Sequence, residues 1–357
     1  MSEGWHERLR WLKLAAGLLA VLFVLMMVVL PALTAIVTLT GGQTPPSINR
    51  WLPSLEPIYA WLLVIFSAIW ITFFGGCIAS FLNVVAWRLP RRESLLGRSH
   101  CPKCNTGLSL RENLPIYGWL SCNGKCRYCQ EPISARYVVV ELILGLVFLV
   151  VCTAEIGLGG WSLPQSLLDS SQRHSSTQIL DLNLVVWSVS HCTLLSLLFV
   201  FALVRLENAV VPKSIFWFGI LVGVAFLIGI PTLRLSHGLG LAWLTGQFTS
   251  PYLFVGQVAL GIAVGWAGGL SWQLVARRTG ESSGDGVSSF EPVYCAVLAG
   301  LFAGALSAVQ IILLAAAITV ICNRLTTNQH RTWASTSATF FSATTIYFLV
   351  WRWTTWG

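Results

Sequence analysis

Apolar residues in this chain come in long unbroken runs, not in the alternating or three-and-four spaced stripes of soluble strands and helices. Several runs reach the roughly 20 residues that a helix needs to cross a bilayer. The pattern predicts spans over Leu14–Thr38, Ile58–Trp87, Val138–Ala154, Leu184–Leu203, Ile215–Leu233, Pro251–Val275, Tyr294–Ile321 and Ala338–Trp351. The polar positions are concentrated between these runs, above all in one segment between the second and third. The expected fold class is therefore an all-α polytopic membrane protein of about eight transmembrane helices carrying one small polar insert.

Composition agrees with the pattern. Hydrophobic residues make up 55% of the chain and charged residues only 10%, which excludes an ordinary soluble protein of this length. The first run is too long for the apolar core of a signal peptide and has no small-residue cleavage site after it, so it reads as a retained anchor. The chain divides into three parts: residues 1–56, an anchor and outward loop; residues 57–155, a helix, the insert at about 88–137 and a returning helix; residues 156–357, a helical membrane domain.

Charge sets the orientation. Arg8, Arg10 and Lys13, the insert (Arg88, Arg91, Arg92, Arg98, Lys103, Arg111, Lys125, Arg127, Arg136), Arg205 with Lys213, and Arg277 with Arg278 all fall on one side of the eight spans. The opposite loops Thr40–Leu55, Glu155–Asn183 and Arg234–Ser250 hold only Arg50, Arg173 and Arg234. Basic loops stay on the cytoplasmic side, so the net charge of +8 is a topology signal and gives no support to nucleic-acid binding. Trp residues cluster near span ends, among them Trp11, Trp51, Trp87, Trp161 and Trp351, as an interfacial aromatic belt requires. Small residues recur at helix-packing spacing in Gly261-Ile-Ala-Val-Gly265 and Gly300-Leu-Phe-Ala-Gly304, which predicts close helix contact rather than a ligand site.

The insert carries the strongest chemical signal. Cys101-Pro-Lys-Cys104 and Cys126-Arg-Tyr-Cys129 are separated by 21 residues, a zinc-ribbon spacing that gives a closed site with four thiolate ligands. Two disulfides are the alternative, disfavoured by a reducing cytosol. Cys122 lies close enough to Cys126 to replace a ligand, and His100 adjoins Cys101; four thiols already suffice, and His100 reads as a surface residue. Glu141 at the start of the third span needs a partner or a role; Arg136 is near, but not at helical pair spacing.

Around this insert the chain resembles a known family. Gly76-Cys-Ile-Ala-Ser80-Phe81-Leu82-Asn83-Val84-Val85-Ala-Trp-Arg88-Leu89-Pro90, the two cysteine pairs, Glu112-Asn113-Leu-Pro115-Ile-Tyr-Gly-Trp119 and Ile133-Ser134-Ala-Arg136-Tyr137-Val-Val-Val-Glu141-Leu142 are similar in order and spacing to the bacterial type IV prepilin peptidases. The resemblance implies a multi-pass protein of the bacterial inner membrane with a cytoplasmic zinc domain. It also implies prepilin or pseudopilin substrates, cleavage of a short basic leader by two aspartates, and methylation of the new amino terminus with S-adenosylmethionine.

Both aspartate positions depart from the family. The first, seven residues before Pro212, is Arg205, a permanent cation that cannot serve as a base. Glu207 is two residues on, roughly 200° around a helix. Ungapped matching from Gly300 puts Pro292 at the second position, beside Glu291. An insertion of about two turns would instead bring Ser283-Gly284-Asp285 onto the motif. Asp285 and Glu207 are thus the candidate carboxylates for an active enzyme, with Glu291 behind them. An inactive prepilin-binding or assembly protein, and a methyltransferase lacking proteolysis, are the two alternatives. Residues contacting S-adenosylmethionine and the oligomeric state are not legible.

Overall fold

The structure is a computed structural model that describes residues 52–101, 103–158, 162–163, 182–229, 251–278, 290–325 and 336–354. The expected first span, most of the loops opposite the basic side, and the Gly280–Ser289 stretch with Asp285 lie outside these residues. The chain divides into Met1–Ser67 and Ala68–Gly357. Of the first unit the structure describes the opening stretch of α1, helical from Leu52 and exposing Leu62, Val64 and Ile65. The rest of α1 and every other described element belong to the second unit.

Described secondary structure is helical, with two isolated β-bridges in the insert. Helix α1 (Leu52–Arg88) ends at the insert, which holds the short α2 (Tyr117–Ser121). Helix α3 (Arg136–Cys152) returns and continues into a π-helical turn, Thr153–Gly157. Then come α4 (Leu182–Leu206), α5 (Lys213–Gly229), α6 (Pro251–Arg278), α7 (Glu291–Ala303), α8 (Ala305–Leu325) and α9 (Thr336–Thr354). Four described stretches are long and apolar enough to cross a membrane: Val64–Arg88, Arg136–Gly157, Leu184–Leu206 and Ala305–Cys322. The chain is a membrane protein.

Helices α1 and α3 cross where neither has a side chain. A methyl group on Gly75 would lie 2.8 Å from Gly145 Cα, and one on Gly145 only 2.6 Å from Thr72 O. The two small-residue motifs meet each other in the same way: a Cβ at Gly300 would sit 2.0 Å from Gly261 O, and one at Gly265 would sit 2.3 Å from Ala296 O. The expectation of close helix contact holds, and the partners are α6 and α7, antiparallel.

The seventh span departs from expectation. Residues 291–325 form a hairpin, broken at Gly304 (φ 87°, ψ 172°), a conformation open to glycine and costly for other residues. Ile312 of α8 meets Gly268, next to the Gly269 that meets Val293 of α7, so α8 runs back beside the start of α7. Helix α7 has 13 residues, about 20 Å of length against a hydrocarbon core of about 30 Å, and all of them except Tyr294 are buried. The periodicity suggested one continuous span because α7 is apolar on every side, as an enclosed helix must be.

Helix α9 lies antiparallel to α4. Ser337 at its start reaches Glu291, Phe341 packs on Phe199, and Phe348 stacks on His191 with ring centres 3.8 Å apart. Arg205, Glu291 and Ser337, from the ends of α4, α7 and α9, therefore gather at the end of the bundle that bears the insert.

Candidate functional site

Two sites share that end. In the insert, each cysteine pair makes the same backbone knuckle. Asn105 N–H donates to Cys101 O and Cys101 N–H to Thr106 O; Gln130 N–H donates to Cys126 O and Cys126 N–H to Glu131 O. The residue after each second cysteine has positive φ, 57° at Asn105 and 59° at Gln130, and in the second knuckle the Tyr128 and Cys129 N–H groups reach the Cys126 sulfur. Cys101 Sγ is 3.8 Å from Cys129 Sγ, and Cys104 Sγ is 3.9 Å from Cys126 Sγ. All four sulfurs lie within 4.8 Å of one another. An ion with bonds of about 2.3 Å to four tetrahedral sulfurs needs sulfur separations of about 3.8 Å, so the cluster fits a metal ion. The cysteines are unpaired by disulfides. Cys122 stands outside the cluster and His100 is exposed.

The thiols are prepared for this role. Hydrogen bonds from Thr106 to Cys104 lower its thiol to about 6. The N–H groups of Cys129 and Tyr128 lower Cys126. Although the Glu131 N–H favours its thiolate, desolvation and hydrogen bonds with the other sulfurs push Cys129 up to about 12. Four closely set sulfurs cannot all carry negative charge without a cation between them.

The insert is braced on the membrane helices. Glu141, 7% exposed, accepts the Ile116 N–H at 2.7 Å and has the Ser80 hydroxyl as a second partner. Ile116 sits at φ 61°, ψ −53°, a γ-turn closed by Tyr117 N–H on Pro115 O at 2.5 Å; this geometry is strained for a β-branched residue. Glu141 is thus the strut that holds this turn against α1 and α3. Arg136 does not pair with it. Its guanidinium goes instead to Glu207, with Nη1 2.6 Å from Oε1.

At the second site the structure brings Arg205, matched to the first family aspartate, to Glu291, the residue before the matched Pro292. Arg205 Nε lies 3.0 Å from Glu291 Oε2, and Glu291 Oε1 accepts the Ser337 N–H at 2.8 Å. The Glu291 side chain is 3% exposed and that of Arg205 is 28% exposed. The partners of this carboxyl are a guanidinium and an amide N–H rather than a second carboxyl, so it is not placed as half of a proton-sharing pair. Pro292 occupies the first turn of α7, where its missing N–H costs nothing. Beside this pair opens a cavity of about 620 Å³, whose lining includes Leu89, Arg92, Val211, Lys213 and Tyr294. Among the described residues Glu291 pairs with Arg205 at the junction and Glu207 is engaged by Arg136, while Asp285 lies outside them.

One buried pair escapes the sequence reading. His191 Nδ1 and Glu155 Oε1 are 2.6 Å apart, with both side chains at most 1% exposed. Cys152 and Cys192 form the next rung, 4.0 Å apart. A signal is available, because His191 interrupts an apolar run, but the apolar pattern assigns Glu155 to an outward loop. It belongs instead to the π-turn, which rotates it inward.

Comparison with known proteins agrees with this geometry. Residues 73–154 match the family described as Bacterial Peptidase A24 N-terminal domain. The chain is 33% identical over 170 residues to a prepilin leader peptidase/N-methyltransferase of Myxococcus xanthus, covering 47% of this chain and 43% of that protein. It is 37% identical over 115 residues to a type 4 prepilin-like proteins leader peptide-processing enzyme of Escherichia coli O78:H11, covering 27% and 42%. With a prepilin leader peptidase/N-methyltransferase of Vibrio cholerae it is 43% identical over 74 residues, covering 18% and 29%. The chain thus spans less than half the length of these relatives. No solved structure matches.

Proposed function

We propose that this chain, whose residues 73–154 match the Bacterial Peptidase A24 N-terminal domain, belongs to the prepilin leader peptidase/N-methyltransferases and handles type IV prepilin or pseudopilin leaders at the cytoplasmic face of the bacterial inner membrane. The match of that domain, with its four-thiolate cluster and its motifs in order, is the observation that carries the reading. The basic end of the bundle faces the cytoplasm by the positive-inside rule. The four cysteines hold a structural zinc ion, which fixes the insert over the ends of α1 and α3. The cavity beside Glu291 is large enough for a short peptide segment.

Cleavage would need two carboxylates able to share a proton. Asp285 and Glu207 are the residues we assign to it, with Glu207 first released from Arg136. Methyl transfer from S-adenosylmethionine is the second activity of the proposal. Its chemistry calls for a neutral amine nucleophile held in line with the methyl group, and the insert side of the junction is where the new amino terminus would emerge.

A second reading rests on one observation. The Arg205–Glu291 ion pair stands where the family dyad is matched, which supports a protein that binds or methylates prepilins without cutting them. Purified full-length chain in detergent, given a pseudopilin substrate and methyl-labelled S-adenosylmethionine, separates the readings. Leader removal with labelling supports the first, labelling or binding alone supports the second, and neither reaction nor binding refutes both.

A further inference from the structure

The outer loops of the insert carry two leucines with almost no protein contact. Leu96 is 89% exposed and Leu110 is 90% exposed. The segments that carry them lead out of one backbone pairing. Leu108 N–H donates to Ser99 O, and His100 bridges to Gly107. These contacts make residues 99–108 a short ribbon, with the Cys101–Cys104 knuckle at its closed end and the 94–98 and 109–111 segments together at its open end. Both leucines are at the open end.

That end is tied to the membrane helix. Arg88, the last residue of α1, donates from Nη1 to Ser94 O at 3.2 Å and from Nη2 to Arg98 O at 3.4 Å. The Ser94 hydroxyl accepts the Leu96 N–H at 3.1 Å. The loop bearing Leu96 is therefore ordered and stays next to the point where α1 leaves the bilayer. Exposed Arg91, Arg92, Arg98 and Arg111 surround it. Among the described residues none of these four pairs with a carboxylate, whereas Lys103, Arg127 and Arg136 elsewhere on the insert do. Arg91 lies over the Trp87 ring, 3.5 Å from its centre, at the depth where interfacial tryptophans sit. The 94–98 and 109–111 segments hold no acidic residue; Glu93 and Glu112 flank them, and Glu112 is engaged by Arg127.

We propose that this open end docks on the lipid leaflet: Leu96 and Leu110 enter the acyl boundary while Arg91, Arg92, Arg98 and Arg111 bind anionic phospholipid headgroups. Leucine tips fully exposed to water are unfavourable, and unpaired arginines next to a helix exit meet the negative surface of an anionic leaflet. The docking holds the knuckle end of the ribbon away from the membrane, towards whatever the site handles. The inference rests on the membrane topology alone and does not depend on whether the protein cleaves, methylates or only binds.

The test is photocrosslinking of the full-length, metal-loaded chain in vesicles of phosphatidylcholine with phosphatidylglycerol. Benzoylphenylalanine is placed singly at Leu96, Leu110 and Lys103, the last at the closed end. Lipid-mass adducts at the first two positions and not the third are expected. The double change Arg98→Glu with Arg111→Glu should lower the adduct at Leu96 by about thirtyfold or more, given about 1 kcal/mol for each of the two basic residues near such a surface. It should make no difference in vesicles of phosphatidylcholine alone. Metal content of each variant reports that the insert remains folded. Absence of lipid adducts at Leu96 and Leu110, equal adducts at Lys103, or a protein adduct replacing lipid in native membranes would overturn the proposal.

Discussion

Replacing Arg205 by Met tests the arrangement at the matched catalytic positions most directly. The guanidinium and the Glu291 carboxylate are 3.0 Å apart, a gross attraction of about 5 kcal/mol at an effective dielectric constant near 20. Desolvation removes much of that, so the pair contributes little net stability while it is intact. Breaking it is another matter. Glu291, 3% exposed, would keep the N–H and hydroxyl of Ser337 but no cation, and breaking a buried ion pair from one side costs about 3–5 kcal/mol. The reverse change, Glu291→Gln, leaves a guanidinium that is 28% exposed and can be hydrated. Its cost should be nearer 1–2 kcal/mol. We expect this asymmetry, together with a coupling of about 2 kcal/mol between the two changes, in a double-mutant cycle followed by reversible unfolding in mixed micelles. If Arg205→Met costs less than about 1 kcal/mol and the two changes add within about 0.5 kcal/mol, the charges do not meet as described, and the case for a protein that binds or methylates without cutting weakens with them.

Four further outcomes are expected. Protein purified in reducing, metal-free buffer should carry about one zinc ion per chain; Cys101→Ser with Cys126→Ser should lose most of it, and acid should release it as the thiolates protonate. Glu112 loses solvent on burial, but the Ser109 N–H, the Ser109 hydroxyl and Arg127 hold its carboxyl below the usual range. It therefore stabilises the insert above its unfolded-state pKa and ceases to do so as pH falls through the lower folded value. Glu112→Gln should flatten that part of the acid-unfolding curve, read by tryptophan fluorescence. Gly300→Val should destabilise the bundle by at least about 3 kcal/mol, because its first side-chain carbon already meets the Gly261 backbone at 2.0 Å; Gly256, where a Cβ meets nothing within 4 Å, should accept Ala with little change in thermal stability. If the chain cleaves prepilins, Asp285→Asn and Glu207→Gln should each abolish leader removal in a gel-shift assay; if it does not, Arg205→Asp alone should fail to restore it.

Environment and the four-cysteine cluster were legible from the order of residues. Runs of apolar residues near bilayer length have few alternatives to membrane helices, because every backbone polar group in lipid must be satisfied within its own segment. The CxxC pairs were equally legible, since the geometry of a knuckle is local: each turn needs only its own few residues, and the matching backbone bonds at Asn105 and Gln130 follow from that. Local pattern could also say that Gly261, Gly265 and Gly300 would pack closely. It could not say that they would pack on one another.

Partners distant in sequence depended on how the helices assemble. Arg136 had two acidic candidates and went to Glu207 rather than Glu141, because α3 begins beside the end of α4. Glu141 found a backbone N–H 25 positions away. Gly304 turned one apparent span into a hairpin, since uniform hydrophobicity marks an enclosed helix and a spanning one alike. That turn brings Glu291 to Arg205 and lets Ser337 complete its shell. Charge pairing depends on which helix ends converge, and convergence follows from packing among segments that any one-dimensional pattern treats separately.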